Sequence, residues 1–261
     1  MKARPAAGIE VRRLRKQFGA AGIVAIEDVS LSIAPGEFVS VLGPSGCGKS
    51  TLLRCIAGLE SPSGGSIAVN GAPVSGPPDG LGMVFQRDAL LDWRNVADNL
   101  MLPVDFRHGD RAAARERAAA LLALTGLQGF EKAYPAQLSG GMRQRVAICR
   151  ALVDDPVLLL MDEPFGALDA LTRDQMNIEL QRMWLAEHKT VLFVTHSISE
   201  AIFLGDRVVV FTPRPGRIAD VVAVDLPRPR RLAVRASERF VGYASHIRTL
   251  FEGMGLLREE A

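Results

Sequence analysis

The stretch from residue 43 to 51, GPSGCGKST, constrains the fold of this 261-residue chain more than any other. It fits the pattern G-x-x-x-x-G-K-[ST], with an apolar run at 37–42 before it and an apolar-striped run at 52–58 after it. This context predicts a strand, a glycine-rich loop and a helix. Glycines let backbone N–H groups converge on one point, and the positive end of the following helix faces the same point. The stretch therefore predicts a phosphate-binding loop, with an ordinary tight turn as the alternative.

Side chains of this loop suit nucleotide chemistry. Lys49 offers a mobile positive charge to the terminal phosphates, and Ser50 offers a hydroxyl to Mg²⁺. Cys47 is open to two interpretations, as an alkylatable thiol or as a small residue of the loop, and we favour the second. The candidate nucleotide-binding residues are Gly43, Pro44, Ser45, Gly46, Cys47, Gly48, Lys49, Ser50 and Thr51.

The composition argues against several classes of protein. Hydrophobic residues make up 48% and charged residues 23% of the chain, which favours a packed globular core. The net charge of +2 gives no reason to expect a nucleic-acid partner. The longest uncharged and mostly apolar run, at 118–130, is too short for a membrane span, and the N-terminus lacks the apolar core of a signal peptide. The three cysteines are odd in number and lack metal-ligand spacing, so we expect a reducing cytosol.

Strand and helix patterns alternate along much of the chain, which predicts an α/β fold with a mostly parallel sheet. The runs at 9–18 and 23–33 follow each other without a helix. They predict an antiparallel β subdomain, and 9–18 alternates as an edge strand does. The segment 87–152 is rich in alanine, leucine and arginine and has no strand pattern. We interpret it as an inserted α-helical subdomain, with helices after Asp110 and Ser139.

The pattern changes again near residue 226. We expect a main domain over 1–226 and a C-terminal segment over 227–261. Within that segment, 227–239 is rich in proline and arginine and is interpreted as a solvated linker. A final helix carries an apolar stripe that we expect to pack on the main domain, with a partner surface as the alternative. The stripe consists of Phe240, Tyr243, Ile247, Leu250 and Phe251.

Polar side chains follow the ends of several predicted strands. Asp162 and Glu163 follow one apolar run. His196 follows another, and Gln86 ends a third. Because parallel strands end at one edge of a sheet, we expect these residues to face the phosphate loop. Asp162 is a candidate Mg²⁺ ligand, and Glu163 is a candidate base for the water that attacks the γ-phosphate. His196 is a candidate donor to that phosphate, and Gln86 a candidate sensor of Mg²⁺ or the water. Each assignment has an alternative. Asp162 and Glu163 could be ordinary exposed acids, His196 could have a structural role, and Gln86 could have no role in the chemistry.

Several motifs stand in one order along the chain. After the phosphate loop come Gln86, LSGGMRQR at 138–145, VLLLMDEP at 157–164, GALD at 166–169 and His196. In this order and spacing the chain resembles the ATP-binding cassette (ABC) ATPases over roughly 9–225, and LSGGMRQR resembles their signature sequence. The resemblance implies a P-loop NTPase core with an antiparallel β subdomain and a helical insert, with ATP as substrate and Mg²⁺ as cofactor.

The resemblance also implies how the site is completed. In this family two subunits face each other head to tail, and ATP lies between the phosphate loop of one and the signature of the other. Here Ser139, Gly140 and Gly141 would open a helix, whose free N–H groups and dipole suit a γ-phosphate. Asp169 resembles the residue that links the two sites across the homodimer. Phe18 lies where the family places an aromatic ring on adenine, with simple core packing as the alternative.

A narrower resemblance concerns the transported solute. The runs 85–100, 161–175 and 194–210 are similar to those of importer ATPases for nitrate, sulfonates and taurine. This implies a peripheral ATPase on the cytoplasmic face of the bacterial inner membrane, with a transmembrane permease and an extracytoplasmic solute-binding protein as partners. Ser197 and Asp92 depart from the residues frequent at their positions. The alternatives are a soluble ABC ATPase without a transport role and a small-molecule kinase.

Permease docking is expected near 86–104. This segment mixes apolar side chains with few charges directly after Gln86. An apolar cleft here could hold a short helix of a membrane protein, and Gln86 could couple γ-phosphate occupancy to that cleft. The alternative is that the side chains pack the helical insert. They are Leu90, Leu91, Trp93, Val96, Leu100 and Met101.

Overall fold

The computed structural model describes residues 5–19, 22–166 and 168–256. No helix within these ranges combines the length and the apolar character that a membrane span requires. Two short 3₁₀ helices lie at Pro135–Gln137 and Leu232–Ala236. The strands and α-helices are, in chain order, β1 (Ile9–Phe18), β2 (Ile23–Ile33), β3 (Phe38–Leu42), α1 (Lys49–Ile56), β4 (Gly64–Val69), β5 (Ala72–Pro73), β6 (Leu81–Val84), α2 (Val96–Arg107), α3 (Arg111–Leu124), α4 (Gly140–Leu152), β7 (Leu158–Asp162), α5 (Ala170–Glu187), β8 (Thr190–Thr195), α6 (Ile198–Leu204), β9 (Arg207–Phe211), β10 (Ile218–Ala223) and α7 (Glu238–Gly253).

A six-stranded sheet with the order β10-β9-β3-β8-β7-β6 lies at the centre of the fold. The strands from β9 to β6 pair in parallel, and β10 pairs with β9 antiparallel. β3, β7 and β8 are buried along their whole length, which accounts for their continuous apolar sequences. Parallel neighbours end at one edge of a sheet. The predicted α/β fold with a mostly parallel sheet is confirmed, and this edge is where a site can be built.

A separate antiparallel sheet has the strand order β2-β1-β4-β5. The prediction of β1 as an edge strand is wrong, because β1 pairs with β2 on one side and with β4 on the other. β4 follows α1 in the chain and returns to β1. Local alternation does not reveal such a long-range pairing. A hairpin at Asn70 and Gly71 then adds β5, as this dipeptide predicts.

Alternate residues of β3 contribute to two different apolar cores. Phe38 and Leu42 belong to a core shared with the segment 87–152 and with α7. Val39 and Val41 belong to a core shared with the four-stranded sheet and α1. Because successive side chains of a strand point to opposite faces, both faces of the central sheet are covered.

The segment 87–152 contains three α-helices and no strand. Asp110 begins α3, since its carboxylate accepts from two backbone N–H groups of the first turn at 2.9 and 3.1 Å. Ser139 begins α4, and its hydroxyl accepts from the N–H of Met142 at 3.2 Å. Both predicted helix starts are thus confirmed. The three helices contact one another, and α4 also contacts β6.

The interpretation of 227–239 as a solvated linker is wrong. Arg230 is 3% exposed, and its guanidinium donates to five backbone carbonyl oxygens. Three of these belong to Ile202, Phe203 and Gly205 at the end of α6, where a helix leaves carbonyls without helical partners. Burial lowers the pKa of Arg230 to about 10. Arg230 therefore anchors the segment to the fold, while seven of its thirteen residues are exposed.

The apolar stripe of α7 also lies against the main part of the chain. Three of its residues are buried in the core that contains α6, and two are partly buried against it. Nearby, the guanidinium of Arg228 lies 4.3 Å from the centre of the Trp184 ring on α5. The buried stripe residues are Phe240, Ile247 and Phe251, and the partly buried ones are Tyr243 and Leu250.

Replacing Arg230 with alanine would leave its carbonyl partners buried without donors. We expect Arg230→Ala to lower the free energy of unfolding by about 3 kcal/mol, because several hydrogen bonds from one charged group are lost together. Denaturant unfolding followed by circular dichroism measures this. The matched control is Arg231→Ala, since Arg231 is adjacent and exposed, and it should stay within about 0.5 kcal/mol of the parent. Equal losses in the two variants would contradict the role given to Arg230.

Candidate nucleotide-binding site

A cavity of about 470 Å³ lies at the carboxyl edge of the central sheet. The phosphate loop forms one part of its lining. The rest comes from the end of β1, the start of β2 and the residues that follow β6, β7 and β9. Residues far apart in the sequence thus meet at the phosphate loop. The lining consists of Phe18, Ile23, Ala25, Ser45, Gly46, Gly48, Lys49, Ser50, Thr51, Gln86, Glu163 and Arg214.

The phosphate loop adopts backbone conformations that need glycine. Gly46 has a φ of +75° and Gly48 a φ of +105°. A side chain at Gly48 would also collide, because its Cβ would lie 2.7 Å from the carbonyl oxygen of Ala25. α1 begins at Lys49, directly after this loop. The loop and the positive end of α1 therefore meet at the cavity, as a phosphate site requires.

Lys49 is held firmly at this loop, with only 4% of its side chain exposed. Its Nζ donates to the carbonyl oxygens of Gly43 at 2.8 Å and Pro44 at 3.0 Å. The Oε1 of Glu163 lies 3.6 Å from the same nitrogen. The ammonium group therefore sits between the loop backbone and the acid that follows β7.

Ser50 and Asp162 connect α1 to the end of β7. The hydroxyl of Ser50 donates to Oδ1 of Asp162 at 2.8 Å. Asp162 is 7% exposed, and burial raises the pKa of its carboxyl group, partly offset by the hydrogen bond from Ser50. Two hard oxygen donors thus lie together beside the phosphate loop, and such donors suit Mg²⁺.

Glu163 and His196 form a second pair at the sheet edge. Oε2 of Glu163 lies 3.1 Å from Nδ1 of His196, and the histidine side chain is 50% exposed. Because a carboxylate can only accept, Nδ1 carries the proton in this contact. Glu163 has a φ of +44°, a conformation that costs energy for any residue except glycine. Its N–H donates to the carbonyl oxygen of Val194 on β8 at 2.9 Å, which holds this turn.

The sequence reasoning missed a buried acid that lies one helical turn after His196 in the chain. Glu200 is 5% exposed, burial raises the pKa of its carboxyl group, and Oε2 accepts from the hydroxyl of Thr195 at 2.5 Å. Arg173 on α5 has its Nε 3.4 Å from Glu200, and it donates to the carbonyl oxygen of Leu168 at 2.9 Å. These contacts join Thr195, the residue before His196, to Leu168, the residue before Asp169. The spacing of one helical turn from His196 could have indicated Glu200.

The signature residues and Asp169 lie outside the cavity of their own chain. Asp169 begins α5, and its carboxylate accepts from the hydroxyl of Thr172 at 2.6 Å and from two N–H groups. These hydrogen bonds lower the pKa of Asp169. A Cβ on Gly141 would lie 2.8 Å from Cγ2 of Thr172, so the starts of α4 and α5 touch. Ser139 and Gly140 are exposed at the same place.

Phe18 and Gln86 both line the cavity. Phe18 is 37% exposed and belongs to neither apolar core, which excludes the alternative of core packing. The ammonium group of Lys16 lies 4.7 Å from the centre of its ring. The predicted strand end is corrected, because β6 ends at Val84 and Gln86 lies two residues beyond it.

Three residues of the phosphate loop do not line the cavity, namely Gly43, Pro44 and Cys47. Cys47 is 1% exposed, and burial raises the pKa of its thiol. A Cβ on Gly43 would lie 3.0 Å from the sulfur atom of Cys47. Burial and a raised pKa both disfavour an alkylatable thiolate, so Cys47 is better interpreted as a small packed residue.

Arg214 is the second residue that the sequence reasoning missed. It follows β9 and lines the cavity, and its Nε donates to the carbonyl oxygen of Gly46 at 3.3 Å. β9 is a parallel neighbour of β3, so its carboxyl end lies at the same edge of the sheet. Glu163 and His196 were found because polar residues after parallel strands face one edge of the sheet, and the same rule could have found Arg214.

Comparison with known proteins identifies the family. Residues 26–166 match the family described as ABC transporter. An uncharacterised ABC transporter ATP-binding protein of Methanocaldococcus jannaschii is 47% identical over 241 residues, which cover 92% of this chain and 89% of that protein. A taurine import ATP-binding protein of Rhizobium johnstonii is 47% identical over 244 residues, which cover 91% of this chain and 92% of that protein.

A solved structure is also similar, the dimeric post-hydrolysis state of an ATP-binding cassette bound to ADP and Pi. Its TM-score is 0.73 at 32% identity, and the match covers 84% of this chain and 100% of that one. The predicted P-loop NTPase architecture is thereby confirmed. The family match covers more than half of the chain, and the relatives align over most of it. The chain therefore belongs to the ABC transporter family, as the ATP-binding subunit in which ATP hydrolysis is coupled to transport.

Proposed function

We propose that this chain energises uptake of a small anionic solute, such as taurine, an aliphatic sulfonate or nitrate, as the ATPase subunit of an ABC importer. The observation that carries this proposal is the 47% identity, over most of both chains, with a protein named as a taurine import ATP-binding protein. The proposed location is the cytoplasmic face of the bacterial inner membrane. A transmembrane permease and an extracytoplasmic solute-binding protein are the proposed partners.

In this proposal ATP occupies the cavity beside the phosphate loop. The adenine ring stacks on Phe18, which is exposed at the end of β1 and lines the same cavity as the loop. The phosphates lie against the backbone N–H groups of the loop and of the first turn of α1. Lys49 binds the terminal phosphates, exchanging carbonyl oxygens for phosphate oxygens that carry more charge.

Mg²⁺ fits the oxygen donors next to the loop. Ser50 and Asp162, whose side chains lie 2.8 Å apart, would hold the ion, and Gln86 in the cavity lining is a further candidate ligand. The ion supplies neutralising charge to the β- and γ-phosphates when it is bound.

Hydrolysis in this proposal uses the pair at the ends of β7 and β8. The carboxylate of Glu163 accepts a hydrogen bond from the attacking water and polarises it. His196 stays bonded to Glu163 through Nδ1 and donates to the γ-phosphate through its other ring nitrogen.

A second copy of the chain would complete each site. Ser139 opens a helix whose N-terminus suits a phosphate, but this helix start is not part of the cavity of its own chain. Leu171, two residues after Asp169, is 83% exposed. A head-to-tail partner would cover this surface and bring its own γ-phosphate against Ser139, Gly140 and Gly141. The similar cassette bound to ADP and Pi was solved as a dimer.

Replacing Glu163 with glutamine tests the catalytic assignment, because it removes the carboxylate at constant size. We expect Glu163→Gln to bind ATP with parent affinity, to lose about a hundredfold or more in hydrolysis rate, and to accumulate as an ATP-bound dimer. Phosphate release and gel filtration with ATP measure these outcomes. Glu116→Gln, on the exposed face of α3, is the matched control and should hydrolyse ATP at the parent rate. A hydrolysis rate near that of the parent in Glu163→Gln would contradict the catalytic role assigned to Glu163.

The proposed docking segment 86–104 has a buried and an exposed part. Val96, Leu100 and Met101 are buried, so for these three the alternative of packing the helical core is correct. Trp93 is 74% exposed. A large exposed aromatic side chain is typical of a protein interface and is often a hot spot there. We assign the permease contact to Trp93 and not to the buried residues of α2.

Trp93→Ala should therefore weaken permease association about tenfold or more and leave ATP affinity within about twofold. Co-purification with the permease and a separate ATP titration measure the two effects. Leu59→Ala is the matched control, since Leu59 is 51% exposed and lies outside the segment. Equal losses of permease association and ATP affinity in Trp93→Ala would contradict the docking role.

The solute is tested with the complete transporter in vesicles, made with the permease and the solute-binding protein that are proposed as partners. We expect ATP hydrolysis to rise when taurine, an alkanesulfonate or nitrate is supplied to the binding protein, and not when a sugar is supplied. Stimulation by the sugar alone would overturn the anionic class. Hydrolysis that is indifferent to the permease would instead favour a soluble ATPase.

A further inference from the structure

We propose that Arg214 is a further nucleotide-binding residue, whose guanidinium binds phosphate oxygens of ATP at the tip of the phosphate loop. This inference rests on the proposed use of the cavity as the ATP site. Arg214 is exposed, lines that cavity and donates through Nε to the carbonyl oxygen of Gly46 at 3.3 Å. A Cβ on Gly46 would lie 3.4 Å from a terminal nitrogen of the same guanidinium. The charged group thus lies along the loop itself.

The position of Arg214 is fixed by the turn that carries it. The N–H of Gly216 donates to the carbonyl oxygen of Ala25 at 2.9 Å, and the N–H of Glu27 donates back to Gly216 at 3.0 Å. A Cβ on Gly216 would lie 2.0 Å from the carbonyl oxygen of Cys47, so the turn packs directly on the phosphate loop. The turn is therefore anchored both to β2 and to the loop.

The charges around the cavity favour an anion at Arg214. The described lining contains two cations, Lys49 and Arg214, and Lys49 is almost fully buried against two carbonyls and Glu163. Among the residues that the structure describes, no carboxylate lies within ion-pair distance of Arg214. By contrast Arg217, three residues later, forms an ion pair with Glu27. Arg214 is thus an exposed guanidinium without an acidic partner, beside a loop built for phosphates.

A guanidinium in this position can add binding energy without entering the chemistry. Its planar fork carries five N–H donors, and the contact with Gly46 uses only Nε. The terminal nitrogens are then available for two oxygens of one phosphate group. We expect the contact to be made with ATP and with ADP. Adenosine has no phosphate, so its binding should not depend on Arg214.

Equilibrium titration of the full chain with ATP, ADP and adenosine tests this inference. We expect Arg214→Ala to raise the Kd for ATP and ADP about tenfold and to leave the Kd for adenosine within about twofold. Arg214→Lys keeps the charge without the fork and should give an intermediate Kd. Arg217→Ala is the matched control in the same turn and should bind all three compounds with parent affinity. Because Arg214 is exposed, both variants at this position should keep the parent melting temperature.

Three results would count against the inference. Parent affinity of Arg214→Ala for ATP would overturn it, and an equal loss of adenosine affinity would overturn the phosphate contact in favour of the base or ribose. The variant Lys49→Ala shows whether a negative result concerns Arg214 alone or the whole proposed ATP site. Weak ATP binding by Lys49→Ala with parent affinity in Arg214→Ala would reject only the role of Arg214. Parent affinity in both variants would reject the cavity as the ATP site.

Discussion

The geometry of the whole site depends on the in-register parallel pairing of β3, β8 and β7. Leu42 pairs with Thr195, and Asp162 pairs with Val194, so the three strands end at the same level. Each strand then continues into the phosphate loop, the histidine or the acid. Neighbouring strands are only about 4.8 Å apart, so side chains that leave adjacent strand ends are already within contact distance. The hydrogen bond between Glu163 and His196, which follow the adjacent strands β7 and β8, is a direct result of this pairing.

Backbone carbonyls position the cations around this edge. Lys49 is held by two carbonyls of its own loop, and Arg173 is held by that of Leu168. A carbonyl carries only a partial charge, so it orients a cation without cancelling its net charge. The two carbonyls therefore leave the charge of Lys49 intact, and the acid that offsets it is Glu163, whose Oε1 lies 3.6 Å from the ammonium group. In the proposed function, Asp162 would bind the metal ion and Glu163 would polarise the attacking water.

The parts of the fold that depend on local pattern could be predicted from the sequence, and those that depend on distant partners could not. Continuous apolar runs placed Glu163 and His196 at strand ends, because burial on both faces produces such runs. The pairing of β1 with β4 joins segments separated by α1, so alternation in 9–18 could not reveal it. The burial of Arg230 also could not be predicted from the sequence. Arginine is buried only where the fold supplies enough acceptors, and here they come from five residues of α6 and the chain after it.

The hydrogen bonds of Arg230 also indicate that the folded ATPase unit includes residues after 226. α6 starts two residues after His196, and its last carbonyls are bound by an arginine from the C-terminal segment. The far end of the helix that follows the histidine is therefore stabilised by Arg230, which lies after residue 226. A fragment cut at residue 226 would keep every sequence motif of the family and still lack the group that terminates this helix. The part of the chain that folds together is thus longer than the part that carries the family's motifs.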